Sequence, residues 1–185
     1  MSKAVLISIR PKWCEKIING DKTIEVRKTR PKLDTPFKCY IYCTLPKYPH
    51  EDFIATNYPR PEFYGGGKVI GEFTCDRIYE FEAKARGGSY YVKNEDQPTT
   101  NFIARQSCLD LKDMHGYLHA QKGYGWHISD LRIYDAPREL SEFERPYECN
   151  ECDAKWATEC NTCREEGKIK RAPQSWCYVE EVRDE

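Results

Sequence analysis

Gly20-x-Lys22-x-x-Glu25-x-Arg27 places two cations and a carboxylate on one short segment of the chain. A Glu carboxylate accepts hydrogen bonds from an exocyclic amine on a base edge. Lys and Arg hold a phosphate or polarise a carbonyl. Together Lys22, Glu25 and Arg27 suit a small groove that grips one nucleotide. Trp126 adds a ring on which an unpaired base could stack. Trp13 has the same capacity, but its helical spacing points to the core. His127 is an acid–base candidate, yet strand alternation turns it away from Trp126. A lysine can also serve hydrolysis if a carboxylate assists it, and Glu25 or Glu72 could do so.

A second chemistry lies near the C-terminus. Cys149-x2-Cys152-x7-Cys160-x2-Cys163 presents two Cys-x-x-Cys knuckles. Four thiolates complete a tetrahedral zinc shell and leave no open position, so a structural zinc is expected there. Residues 146–173 hold few aliphatic side chains, so metal would order this loop, inserted within a single domain spanning 1–185. Cys39 and Cys43 are too far apart on one strand to share a metal, and Cys14, Cys75, Cys108 and Cys177 read as small buried residues. His115 and His119 lie one helical turn apart without an acidic partner.

The elements that must position these groups follow from local pattern. AVLISIR is a buried strand, and Pro11 then opens a short helix with Trp13, Ile17 and Ile18 as its apolar stripe. Gly20 caps that helix. From Lys22 to Lys28 the pattern alternates, with Ile24 and Val26 inward and Thr23, Glu25 and Arg27 on a charged outer or groove-facing row. Cys39–Leu45 is a strand, and the Pro-rich loop that follows it ends in Gly65-Gly66-Gly67. That glycine run lacks the spacing of a phosphate-binding loop and reads as a hinge. Lys68–Phe81 reads as one long strand bent near Gly71, and 83–100 as a polar loop. Ser107 is the expected cap of a helix reaching Ala120. Strands over Trp126–Tyr134 and Ser175–Val182 complete five or six strands and two short helices, which predicts an α+β, closed or nearly closed sheet.

With 185 residues and 13% aromatics, including thirteen Tyr, the composition favours sheet. The net charge of −1 excludes a uniformly cationic nucleic-acid binder. The charge is nonetheless uneven: residues 1–47 carry eleven Lys/Arg against four Asp/Glu. No apolar run is long enough to span a membrane, and AVLISI is too short for a signal peptide, so no membrane partner and a cytoplasmic location are expected. In a reducing compartment, ten cysteines are thiols or metal ligands.

The G-x-K-x-x-E-x-R spacing at 20–27 resembles the signature of the ASCH family, and LISIRPKWCEKIINGDKT resembles its opening. VIGEF, GWHISDLRIYDAPRELSEF and PQSWCYVEE are similar to later blocks of phage-associated and Firmicutes-type ASCH proteins. The resemblance implies a PUA-like β-barrel with short flanking helices, and a partner that is RNA or a nucleotide or modified nucleoside. One branch of the family deacylates N4-acetylcytidine through the Lys of the motif, which Lys22 matches; that branch has Thr where this chain has Glu25. A ribonuclease activity is also known in the family. Three readings result. The first is an RNA- or nucleoside-binding module using Lys22, Glu25, Arg27 and Trp126. The second is a small hydrolase of acylated nucleosides or RNA phosphodiesters, with Lys22 and Glu25 catalytic. The third is a protein-binding adaptor built on the Cys-rich loop.

Overall fold

The computed structural model describes residues 2–45, 65–94, 102–119, 121–146 and 167–182. Cys149, Cys152, Cys160 and Cys163 lie outside the described residues. The architecture is mixed α+β, mostly sheet with few helices. The chain divides into two compact units. The first comprises Met1–Cys14, Lys38–Phe73 and Arg132–Glu185, and the second Glu15–Phe37 and Thr74–Leu131.

The first unit is built on a five-stranded sheet in the order β8-β4-β3-β1-β9. Its strands are β1 (Lys3–Ile9), β3 (Phe37–Cys43), β4 (Lys68–Cys75), β8 (Ser129–Arg138) and β9 (Trp176–Glu180). β1 runs parallel to β3 and antiparallel to β9. Every β1 residue from Ala4 to Ile9 is buried, as expected of a strand paired on both sides. Leu6, Tyr40, Val69, Tyr134, Phe143, Ile169 and Val179 pack as one core.

The second unit holds a four-stranded sheet in the order β2-β7-β5-β6. It comprises β2 (Ile24–Arg27), β5 (Ile78–Arg86), β6 (Ser89–Asn94) and β7 (Lys122–His127). Helices α2 (Phe102–Ser107) and α3 (Leu111–Leu118) contribute Ile103, Met114 and Leu118 to a core with Ile24, Val26, Phe81 and Val92. The first helix, α1 (Pro11–Ile18), begins at Pro11 as its sequence dictates. Its buried side is Cys14 and Ile17; Trp13 is only half-buried, under the Lys12 ammonium at 4.5 Å.

Neither sheet closes among the described residues, so the expected barrel is corrected to two open sheets. The physical reason lies at two corners. The run Lys68–Phe81 is two strands, interrupted at Asp76–Arg77, with β4 in one sheet and β5 in the other. The run from Trp126 to Tyr134 is likewise interrupted at Ile128 between β7 and β8. The segment read as a polar loop contains the β5–β6 hairpin, whose Arg86↔Ser89 pair closes on Gly87 and Gly88. Both glycines have positive φ (57° and 81°), which a tight two-residue hairpin turn requires. Ser107 ends α2 instead of opening a helix, and its hydroxyl donates to Ala104 O at 3.1 Å. Asp110 caps α3, accepting from the Asp113 N–H.

Gly71 makes room for β8. A Cβ there would sit 2.5 Å from Arg132 O and 3.1 Å from Ile133 Cα, both backbone atoms that cannot rotate away. Gly71→Ala should therefore lower stability by about 1–3 kcal/mol. Gly116, exposed in α3, would meet nothing within 4 Å. Gly116→Ala should raise stability by about 0.4–1 kcal/mol. Urea melts of the two variants should move in opposite directions.

Candidate functional site

The turn after α1 delivers Lys22. Gly20, at φ 77°, donates its N–H to Ile17 O at 3.0 Å, and the Lys22 N–H reaches Lys16 O at 3.0 Å. The next residue joins α2: Thr23 N–H donates to Gln106 O at 2.9 Å, and the Thr23 and Gln106 side chains are also hydrogen-bonded. Ile24 and Val26 then face the core with α2 and α3, which matches the inward half of the alternation.

The outward half is also buried. Lys22, Glu25 and Arg27 are only 2%, 7% and 8% exposed. The sequence brings the three into one cluster, as the motif spacing implies, but they do not form an open charged row. Lys22 Nζ donates to Ile24 O at 2.9 Å and to Ser107 O at 2.8 Å. It lies 3.2 Å from Glu25 Oε2, and Arg27 Nη2 lies 3.1 Å from Glu25 Oε1. An ammonium group has three N–H donors, and these acceptors match them in number. Lys22 thus ties the last carbonyl of α2, which no helical partner satisfies, to the backbone and carboxylate of β2. Glu25 is held from both oxygens by opposite sides of the cluster. Two cations share a single carboxylate.

β2 is the edge of its sheet and pairs antiparallel with β7, placing Glu25 opposite Trp126 and Arg27 opposite Tyr124. Trp126 is 0% exposed and meets Phe37 edge to face, with ring centroids 5.9 Å apart. Its ring is covered, so a base cannot reach its face in this arrangement. His127 is partly exposed, with Nδ1 2.6 Å from Asp76 Oδ1. Partial burial works to raise the Asp76 pKa, but the hydrogen bond and charge of His127 outweigh it and hold the carboxyl below its usual value.

The remaining candidates lie elsewhere. Glu72 belongs to the first unit, accepts from the Tyr134 hydroxyl at 2.7 Å and lies 3.5 Å from Lys38 Nζ. Burial first, then the Glu72 hydrogen bond, raises the Tyr134 pKa. Burial pushes the Cys75 thiol up to about 12, so it is protonated and unreactive near neutral pH. Cys39 and Cys43 are fully buried in β3. His115 packs against Tyr90 with the rings tilted by 59° and their centroids 5.2 Å apart. Among the described residues, no three His, Cys, Asp or Glu side chains are grouped to hold a metal. No helix among them is long and apolar enough to cross a membrane.

The fold has solved counterparts. The crystal structure of ASCH from Zymomonas mobilis superposes with a TM-score of 0.55 at 16% identity, covering 96% of this chain and 87% of that one. A mutant of that protein gives 0.54 at 16% identity, over 97% of this chain and 91% of that one. A second mutant gives 0.53 at 15% identity, over 96% and 88%. The chain therefore has an ASCH-like fold, and the match runs through both compact units. No family model and no curated protein matches the sequence.

Removing the shared carboxylate would leave two largely buried cations facing each other. Glu25→Ala should cost about 3–5 kcal/mol of stability. Lys22→Met should cost less, because Arg27 still neutralises Glu25. Denaturant melts would give the ranking, and equal losses would mean that the cluster does not act through its charges.

Proposed function

We propose that this chain is an ASCH-type, PUA-like module that binds single-stranded RNA or a nucleotide or modified nucleoside at the Lys22–Glu25–Arg27 cluster. The supporting observation is the charge balance: two cations around one carboxylate, at an edge strand and largely withdrawn from water. An excess positive charge in a site of low polarity is relieved by an anion, and a phosphate supplies one. Lys22 acts chiefly by fixing Glu25; Arg27 meets the phosphate, and Glu25 accepts from a base amine. Trp126 backs the cluster from the opposite strand. Within that reading we assign the chain to the phage-associated or Firmicutes type, on the resemblance of its later sequence blocks alone.

Oligouridylate and nucleoside monophosphates are suitable probes, followed by fluorescence anisotropy or calorimetry. Binding should weaken as salt rises. Arg27→Gln, checked for folding by its melt, should weaken it about ten-fold or more, as loss of a charge-assisted contact does. Unchanged affinity in that folded variant would refute the site. Product analysis of the same mixtures, extended to acylated cytidines, tests the hydrolase alternative: Lys22-dependent turnover would replace binding as the function.

We propose in addition that Cys149, Cys152, Cys160 and Cys163 hold one structural zinc, on the strength of their spacing alone. Metal analysis of freshly reduced protein should give one zinc per chain, falling sharply in Cys152→Ser. Near-zero zinc in the parent would remove the site.

A further inference from the structure

Exposed large hydrophobic side chains are few among the described residues, and Tyr117 is one of them, at 41%. It lies on α3 between the buried anchors Met114 and Leu118, both of which share a core with Ile24 and Val26 of β2. Helical geometry leaves it at the margin of that apolar stripe, packed along part of its body and wet elsewhere. Lys28, the first residue after β2 and itself exposed, holds its ammonium 5.0 Å from the Tyr117 ring centroid. The phenol is also within electrostatic reach of the cluster: burial raises its pKa, Arg27 lowers it and Glu25 raises it. Arg30, two residues beyond Lys28, is exposed as well.

We infer that Tyr117 is the base-stacking plate of the Lys22–Glu25–Arg27 site and that Lys28 leaves its ring to pair with a phosphate when a strand binds. This rests on the nucleic-acid reading above and names the residues that contact the ligand. An aromatic face accepts any base, because every base has a π-face. A cation over the same ring at an exposed site is held only weakly. The long, flexible lysine stem can give up that contact for a charge-assisted one. Lys28 and Arg30 then supply the cationic edge along which the sugar–phosphate backbone runs. The ligand class is a single-stranded oligonucleotide with at least one unpaired base beside a phosphate.

Two probes separate stacking from charge: oligouridylate and the same strand with abasic sites. Tyr117→Ala should weaken oligouridylate about ten-fold and leave the abasic strand unchanged. Tyr117→Phe, which keeps the ring, should bind like the parent. Lys28→Ala should lower the slope of log affinity against log salt by about 0.7 on both probes. If the parent binds oligouridylate and Tyr117→Ala binds it equally well, the plate is refuted while the site stands. If Tyr117→Ala loses the abasic strand equally, the residue acts structurally and the inference is again refuted. If the parent binds neither probe, both this inference and the function on which it rests fall.

Discussion

A buried ammonium group must find its acceptors inside the protein, and Lys22 finds them in three places. Ile24 O comes from β2, Ser107 O from the end of α2, and Glu25 Oε2 from the carboxylate beside it. One side chain therefore sets where β2 begins, how α2 terminates and which way Glu25 points. The Gly20 turn serves the same end, since its backbone bonds hand the chain from α1 straight to Lys22. Thr23 adds a second tie to α2 through Gln106. A lysine on the surface would impose none of these constraints, because water would satisfy it equally well in any orientation.

That arrangement has an electrostatic consequence. Repulsion between Lys22 and Arg27 grows as water is excluded, and Glu25 stands between them. On the binding reading proposed above, an anion nearby would add to the stability of the cluster. On that reading, affinity for anions and local folding would share an origin in the same three groups. A phosphate gives charge relief without specificity. On the proposed reading, discrimination would fall to neighbours able to touch a base, and aromatic side chains near β2 are candidates.

Much of the local structure was legible in the sequence because its signals are local. Pro11 and Gly20 bracket α1, and Ile24 and Val26 mark the core face of β2. The burial of Glu25 and Arg27 was not legible. It depends on the pairing of β2 with β7 and on α2, whose residues are a hundred or so positions away in the chain. The corners at Asp76–Arg77 and Ile128 contain neither Gly nor Pro, so two pairs of strands read as single strands and the sheets read as a barrel. Gly87–Gly88 did carry a hairpin signal, overshadowed by the charged residues flanking it. Ser107 suits an N-cap, but its hydroxyl serves equally well inside a last turn, and Asp110 takes the capping role.

Trp126 and Tyr117 show why residue type alone does not locate a stacking plate. The antiparallel register puts Trp126 directly opposite Glu25, close to the chemistry. Trp126 is fully buried on β7, and Phe37 meets its ring edge to face. Helices impose a different rule. On α3 the residues at 114 and 118 are spaced to face inward together, so the residue at 117 falls one step off that line. It is packed along part of its body and partly exposed, with the Lys28 ammonium 5.0 Å from its ring centroid. Proximity to the carboxylate therefore does not make Trp126 reachable, whereas helical phase leaves Tyr117 partly exposed.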